Sequence, residues 1–223
     1  MTVLARCEGV ARTFGSGATA TVALQATDCE VHSGDRIALV GPSGSGKSTL
    51  VHLLAGLDTP TLGTVHREAE PVGVVFQGPS LLEPLTVLEN VELPLLLADE
   101  PDSRSRALAA LERLGLADLA DKLPEEISGG QSQRAAIARA LAGDPRLILA
   151  DEPTGQLDHA SAEQVIDVLL AAADHAGAAV VVATHDPVVA GRLADHWEMH
   201  SGRLRIPDSP APHARSKENS WSR

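Results

Sequence analysis

Residues 41–49 read GPSGSGKST, directly after the apolar run RIALV at 36–40 and just ahead of Leu50, Leu53, Leu54 and Leu57. A buried strand, a glycine-rich loop and a helix in that order leave few folds open. Gly41, Gly44 and Gly46 let the backbone turn so that its N–H groups face an anion's oxygens. Lys47 supplies a point charge to the β- and γ-phosphates of a nucleotide, and the Ser48 hydroxyl suits Mg2+. Ser43, Ser45 and Thr49 complete the expected set of contacts, and the helix adds its positive end. A glycine–serine turn with an accidental lysine is the bland alternative; the flanking strand and helix count against it.

Two further stretches fit the same chemistry. LILADE at 147–152 ends an apolar strand in two carboxylates. Ligand sites in open α/β sheets lie at the carboxyl ends of strands. Asp151 is therefore expected in the Mg2+ shell, and Glu152 as the base for an attacking water. An exposed turn would not need four apolar residues in front of it. SGGQ at 128–131 is a capping box, with Ser128 as cap and Gln131 reaching back to it. Gly129 and Gly130 add what a cap does not need: they strip side chains from a helix start and open its N–H groups to an anion. The chain's own loop already holds one triphosphate, so the expected guest is the γ-phosphate of ATP on a partner subunit.

Four other positions carry two readings each. Gln77, after an apolar run at 72–76, is a sensor of metal or water, or an ordinary polar loop residue. His185, past the apolar run 178–183, is a hydrogen-bond donor to the γ-phosphate, or part of a capping turn with Asp186. Phe14 is a platform for the adenine ring, or a loop anchor in the core. His196 and His200 in HWEMH have Glu at the wrong position for a helical metalloprotease motif, and Ser201-Gly202 favours a hairpin strand.

The 223 residues suffice for one large domain, or a core with an inserted subdomain. Aromatics are only 2%, so the core is expected to be Leu, Val, Ile and Ala. A net charge of -12 without a basic run argues against a nucleic-acid partner. Cys7 and Cys29 are too few and too far apart in sequence for a metal site and read as two buried apolar side chains of a reducing compartment. No secretory leader and no membrane-length apolar run is visible, so a spanning part is expected on another chain.

Strands are expected at 3–10, within 21–31, and at 36–40, 72–76, 147–150 and 178–183. Residues 11–17 read as a polar loop carrying Phe14, and 59–63 as a turn. Helices are expected after the glycine loop, at 104–114 with Leu108, Leu111 and Leu114 inward, at 135–141, and at 161–173 with Val165, Ile166, Leu169 and Leu170 inward. Continuous apolar strands alternating with helices give an α/β fold with a mainly parallel sheet covered on both faces. The helical stretch 78–143 interrupts that alternation, and 207–223 has the composition of a disordered tail.

Over about residues 1–206 the chain resembles the nucleotide-binding subunit of ABC transporters. GPSGSGKST looks like the Walker A motif, Gln77 like the Q-loop, ISGGQSQR at 127–134 like the signature, LILADE like Walker B, TGQLD at 154–158 like the D-loop and His185 like the switch histidine. FQGPSLLEPLTVLENVELPLLL at 76–97, with ADEPTGQLD, looks most like the lipoprotein-release, macrolide-export and cell-division subfamily. The resemblance implies a phosphate-loop NTPase core at 1–77 and 144–206, a small antiparallel β-region and an inserted α-helical subdomain at 78–143. It implies ATP with Mg2+, the metal among Ser48, Gln77 and Asp151. It also implies a second ATP-binding subunit paired head to tail as a homodimer, and integral membrane transporter subunits on separate chains. The place implied is the cytoplasmic face of the cell membrane. Leu81, Leu82 and Leu85 would line the groove for those partners, or else pack in the core.

The chain departs from the family pattern at Phe14 in place of Tyr, Ile127 in place of Leu and Gln156 in place of Asn. Only 12 residues separate Gly63 from Phe76, where relatives carry another strand and a helical linker. A non-transport ATP switch acting on a membrane-bound partner remains an alternative. A DNA-repair ATPase fits poorly, because the 79 positions from Thr49 to Ser128 leave no room for a long coiled coil.

Overall fold

Two long antiparallel strands, Val3–Phe14 (β1) and Thr21–His32 (β2), open the computed structural model, which describes residues 2–207. The expected loop at 11–17 is therefore shorter: Ala11 to Phe14 belong to β1, and only the glycine-rich end turns. The pairing of Phe14 with Thr21 across the ladder outweighs the local glycine signal. Cys7 and Cys29, remote in sequence, are direct cross-strand partners, both buried. The Cys29 thiol donates toward Cys7, which holds Cys7 below the usual thiol range and pushes Cys29 up.

Arg36–Val40 (β3) leads into the phosphate loop and Lys47–Ala55 (α1). Gly56 stops that helix in a left-handed turn at φ 73°, so Leu57, read at helical spacing, lies outside it and is exposed. Leu62–Arg67 (β4) follows where part of a turn was expected, and pairs with β1 to complete a three-stranded antiparallel sheet of order β2-β1-β4. Four residues later Val72–Val75 (β5) begins. The 12-residue segment thus holds most of β4 and all of β5, joined by four residues.

Three helices fill the next stretch: Val87–Leu97 (α2), Ser103–Arg113 (α3) and Gly129–Leu141 (α4). In α3 the buried face is Ala107, Ala110 and Leu111, with Leu114 beyond its end, while Leu108 is only partly covered. α4 starts six residues before the apolar run that marked it, because its capping box sits at Ser128. The chain closes with Leu147–Asp151 (β6), His159–Ala176 (α5), Ala179–Thr184 (β7), Pro187–Ala190 (α6), Asp195–His200 (β8) and Arg203–Arg205 (β9). Leu170 of α5 is half-buried rather than inward. His196 and His200 lie on the β8–β9 hairpin, as the Ser-Gly turn indicated. Of the expected tail at 207–223, all but Pro207 lies outside the described residues.

The second sheet has order β5-β6-β7-β3-β8-β9, parallel except for the last pair. Its alternating side chains build two cores. Ile148, Ala150, Val180 and Val182 face α5 and the helices of 87–142 in one contiguous cluster. Leu147, Leu149, Val181 and Ala183 face α1 and the β1–β2 ladder. Every residue of β6 and β7 is buried, which is why both strands read as unbroken apolar runs. Leu149→Ala should destabilise the fold by about 2–5 kcal/mol, seen as a lower denaturant midpoint at unchanged slope.

Candidate active site

Register brings the chemistry to one edge of the parallel sheet. Val40 ends β3 beside Thr184 of β7, and Asp151 ends β6 beside Ala183. The phosphate loop, Asp151-Glu152 and His185 therefore leave three adjacent strands at the same level. A cavity of about 350 Å³ opens there, lined by Ala23, Ser43, Gly44, Gly46, Lys47, Ser48, Thr49, Gln77 and Glu152.

Two loop glycines are required by close approach. A Cβ on Gly41 would lie 2.1 Å from the Met199 carbonyl oxygen, and one on Gly46, at φ 110°, 2.4 Å from that of Ala23. The Ser45 hydroxyl is buried there and finds no partner among the described residues. Lys47 is 4% exposed, and its Nζ donates to the carbonyls of Gly41 at 2.9 Å and Pro42 at 3.2 Å. It also lies 3.3 Å from Glu152 Oε1, while His185 Nδ1 is 3.1 Å from Glu152 Oε2. The Glu152 carboxylate is thus gripped from both sides. Glu152 adopts a left-handed φ of 47°, held by its N–H to Ala183 O at 2.9 Å and its carbonyl to Gly155 N at 3.0 Å. Such strain in a non-glycine residue clusters at functional sites.

Ser48 Oγ donates to Asp151 Oδ1 at 2.9 Å. Burial pushes the Asp151 carboxyl up, only partly offset by the Ser48 hydrogen bond. A carboxylate short of counter-charge beside a hydroxyl is an all-oxygen donor set that fits Mg2+. Sequence reasoning missed His52, one turn beyond Ser48 on α1. Its Nε2 is buried without a hydrogen-bond partner among the described residues, 3.7 Å from Asp151 Oδ2. Its spacing of four from Ser48 was the available signal.

The helix start at Ser128 forms as the pattern required. Ser128 N–H donates to Gln131 Oε1 at 2.8 Å, and Gln131 N–H to Ser128 Oγ at 3.3 Å. Ser128, Gly129, Gly130 and Gln131 do not line the cavity of their own chain. Phe14 stays outside that lining too, on the strand that pairs with β2 ahead of Ala23. Asp186 caps α6 through Val188 N–H at 2.8 Å, so the turn is a capping turn, with His185 facing Glu152 beside it. Leu81 packs partly against the core, whereas Leu82 is exposed.

Two residues not singled out from sequence fix the Gln77 loop. Gln133, fully buried on α4, donates to Phe76 O at 2.9 Å. Arg139, further along α4, donates to Ser80 O at 2.8 Å and Pro79 O at 2.9 Å.

Comparison with known proteins gives one answer. Residues 24–155 match the family model described as ABC transporter. The lipoprotein-releasing system ATP-binding protein LolD of Shewanella oneidensis is 39% identical, over 93% of this chain and 98% of the relative. LolD of Pseudomonas syringae pv. tomato is 39% identical over 89% of this chain and 95% of its own length. The dimeric ATP-binding cassette MJ0796 in a post-hydrolysis state with ADP and Pi superposes with a TM-score of 0.80 at 35% identity, covering 91% of this chain and 98% of that one. Phosphate loop, paired carboxylates, capped glycine helix and relatives agree: the chain belongs to the ABC transporter family, as one of its ATP-binding, ATP-hydrolysing subunits.

Proposed function

We propose that two copies of this chain close head to tail around two ATP molecules and thereby drive a separate membrane transporter. The observation that carries this is the split of the anion-binding parts. Lys47 and Ser48 line the chain's own cavity, whereas the capped helix start at Ser128 to Gln131 does not. Lys47, Ser48 and the loop N–H groups of Ser43 to Thr49 hold the triphosphate, and Phe14 stacks the adenine. Ser128, Gly129, Gly130 and Gln131 of the other copy receive its γ-phosphate. MJ0796, dimeric with ADP and Pi, supports this arrangement.

Ser48, Asp151 and Gln77 would hold Mg2+, which when bound neutralises charge on the β- and γ-phosphate oxygens. Glu152 accepts the proton of the attacking water, and Gln77 orients that water. The incoming γ-phosphate competes with Glu152 for Lys47 and His185. Both groups turn to the phosphate, and the carboxylate is freed to act as base. Hydrolysis removes the shared anion and opens the pair. The inserted unit at 78–143 carries the reader of the partner's phosphate.

No helix of the described residues is long and apolar enough to cross a membrane. We place the chain at the cytoplasmic face of the cell membrane, on integral membrane transporter subunits carried by separate chains. Gly130→Asp sets a carboxylate against the partner's γ-phosphate. ATP binding by the single chain should then stay within about twofold, while ATP-dependent pairing measured by light scattering should fall by at least about tenfold. Unimpaired pairing would remove the shared-site reading.

A further inference from the structure

Arg12 lies two residues before Phe14 on β1, and its guanidinium carbon stands 4.5 Å from the centroid of the Phe14 ring. Asp58, in the turn after α1, grips the same guanidinium at two points. Nε donates to Oδ2 at 2.9 Å, and Nη2 lies 2.8 Å from Oδ1. Asp58 is itself oriented, since its Oδ1 accepts the Thr59 N–H at 2.7 Å. Thr61 fastens the turn to β1, giving its N–H to Ala11 O at 2.8 Å and accepting the Thr13 N–H at 3.0 Å. The ring is 45% exposed, with the cation over one face.

A phenylalanine at this place poses a mechanical problem. It has no hydroxyl by which its plane can be anchored, so only a contact on the ring face can set its orientation. A guanidinium locked in a two-point ion pair does this, because the planar fork cannot swing away without breaking both bonds. The cation also draws π density toward itself and leaves the opposite face poorer in electrons, which suits an electron-rich purine. The brace starts from the turn after α1, the helix that Lys47 opens, so platform and phosphate cradle share one support.

We propose that Arg12, held by Asp58, is a positioning residue for nucleotide binding: it covers one face of Phe14 and presents the other to the adenine base. The inference rests on the reading of Phe14 as the base platform. Affinities for ATP and for inorganic tripolyphosphate, measured by calorimetry with Mg2+ present, separate base recognition from phosphate recognition. Arg12→Ala should weaken ATP about five- to tenfold and leave tripolyphosphate unchanged. Arg12→Lys should recover part of the loss, and Asp58→Asn should show a smaller loss of the same kind. Arg12→Ala added to Phe14→Ala should cost nothing more, because the two act on one contact. An equal loss for tripolyphosphate would make Arg12 a scaffold residue and overturn the proposal. So would unchanged or tighter ATP binding in Arg12→Ala while Phe14→Ala weakens it. If Phe14→Ala itself leaves ATP affinity intact, the platform reading falls, and Arg12 with it.

Discussion

Glu152→Gln turns over ATP about 10²–10⁴-fold more slowly than the parent chain and accumulates as an ATP-bound pair. The size follows from what the change removes. The amide keeps the shape of the carboxylate but has a single acceptor oxygen, so it keeps one of the contacts from Lys47 and His185, which sit 3.3 and 3.1 Å from the two carboxylate oxygens. It cannot take a proton from water. It also lacks the negative charge that would face the γ-phosphate, so ATP should bind at least as tightly as before. Glutamine meets the same backbone demand as glutamate at the φ of 47°, which keeps the comparison clean. Single-turnover release of phosphate measures the loss, and size-exclusion chromatography with ATP measures the pair. A variant that hydrolyses normally would take Glu152 out of the reaction; one that stays monomeric with ATP and its membrane partner would end the shared-site account.

Lys47→Ala weakens ATP binding by about 10²–10³-fold, the effect of removing a buried cation from its counter-charge. The 4% exposure of this side chain matters here, since water cannot stand in for the lost ammonium. The carbonyls of Gly41 and Pro42 lose a donor in the same step, and Glu152 loses one of its two partners. Equilibrium titration with a fluorescent nucleotide reads the change, and an unaltered far-ultraviolet spectrum shows that the fold persists. Affinity within about threefold of the parent would contradict the assignment of Lys47 to the triphosphate.

The sequence disclosed the parallel sheet because β6 and β7 are buried on both faces and so must be apolar throughout. It disclosed the phosphate loop because glycine, lysine and serine have few other reasons to stand in that order between a strand and a helix. It misplaced Phe14 in a loop, since the nearby glycines mask the ladder with Thr21, and the brace from Thr61 to Thr13 comes from 48 residues away. It left Lys47, Glu152 and His185 as separate candidates. Their contact depends on three strands ending at one level, a property of the sheet register. His52 went unnoticed for a similar reason: only the folded chain shows that its ring nitrogen faces Asp151 without a hydrogen-bond partner among the described residues. Gln133 and Arg139 looked like ordinary polar positions on a helix, and their carbonyl partners lie 57 and about 60 residues away.

Those last two bonds make a mechanical link. α4, about 20 Å long at 1.5 Å per residue, has the glycine tip at one end, and Gln133 and Arg139 moor residues 76–80 along its shaft. A hydrogen-bonded rod cannot tilt at its tip and leave its moorings behind. Whatever pulls on the glycine end therefore drags the segment beside Leu82, and a push on that segment reaches the tip as directly. Leverage in this chain runs both ways along one helix.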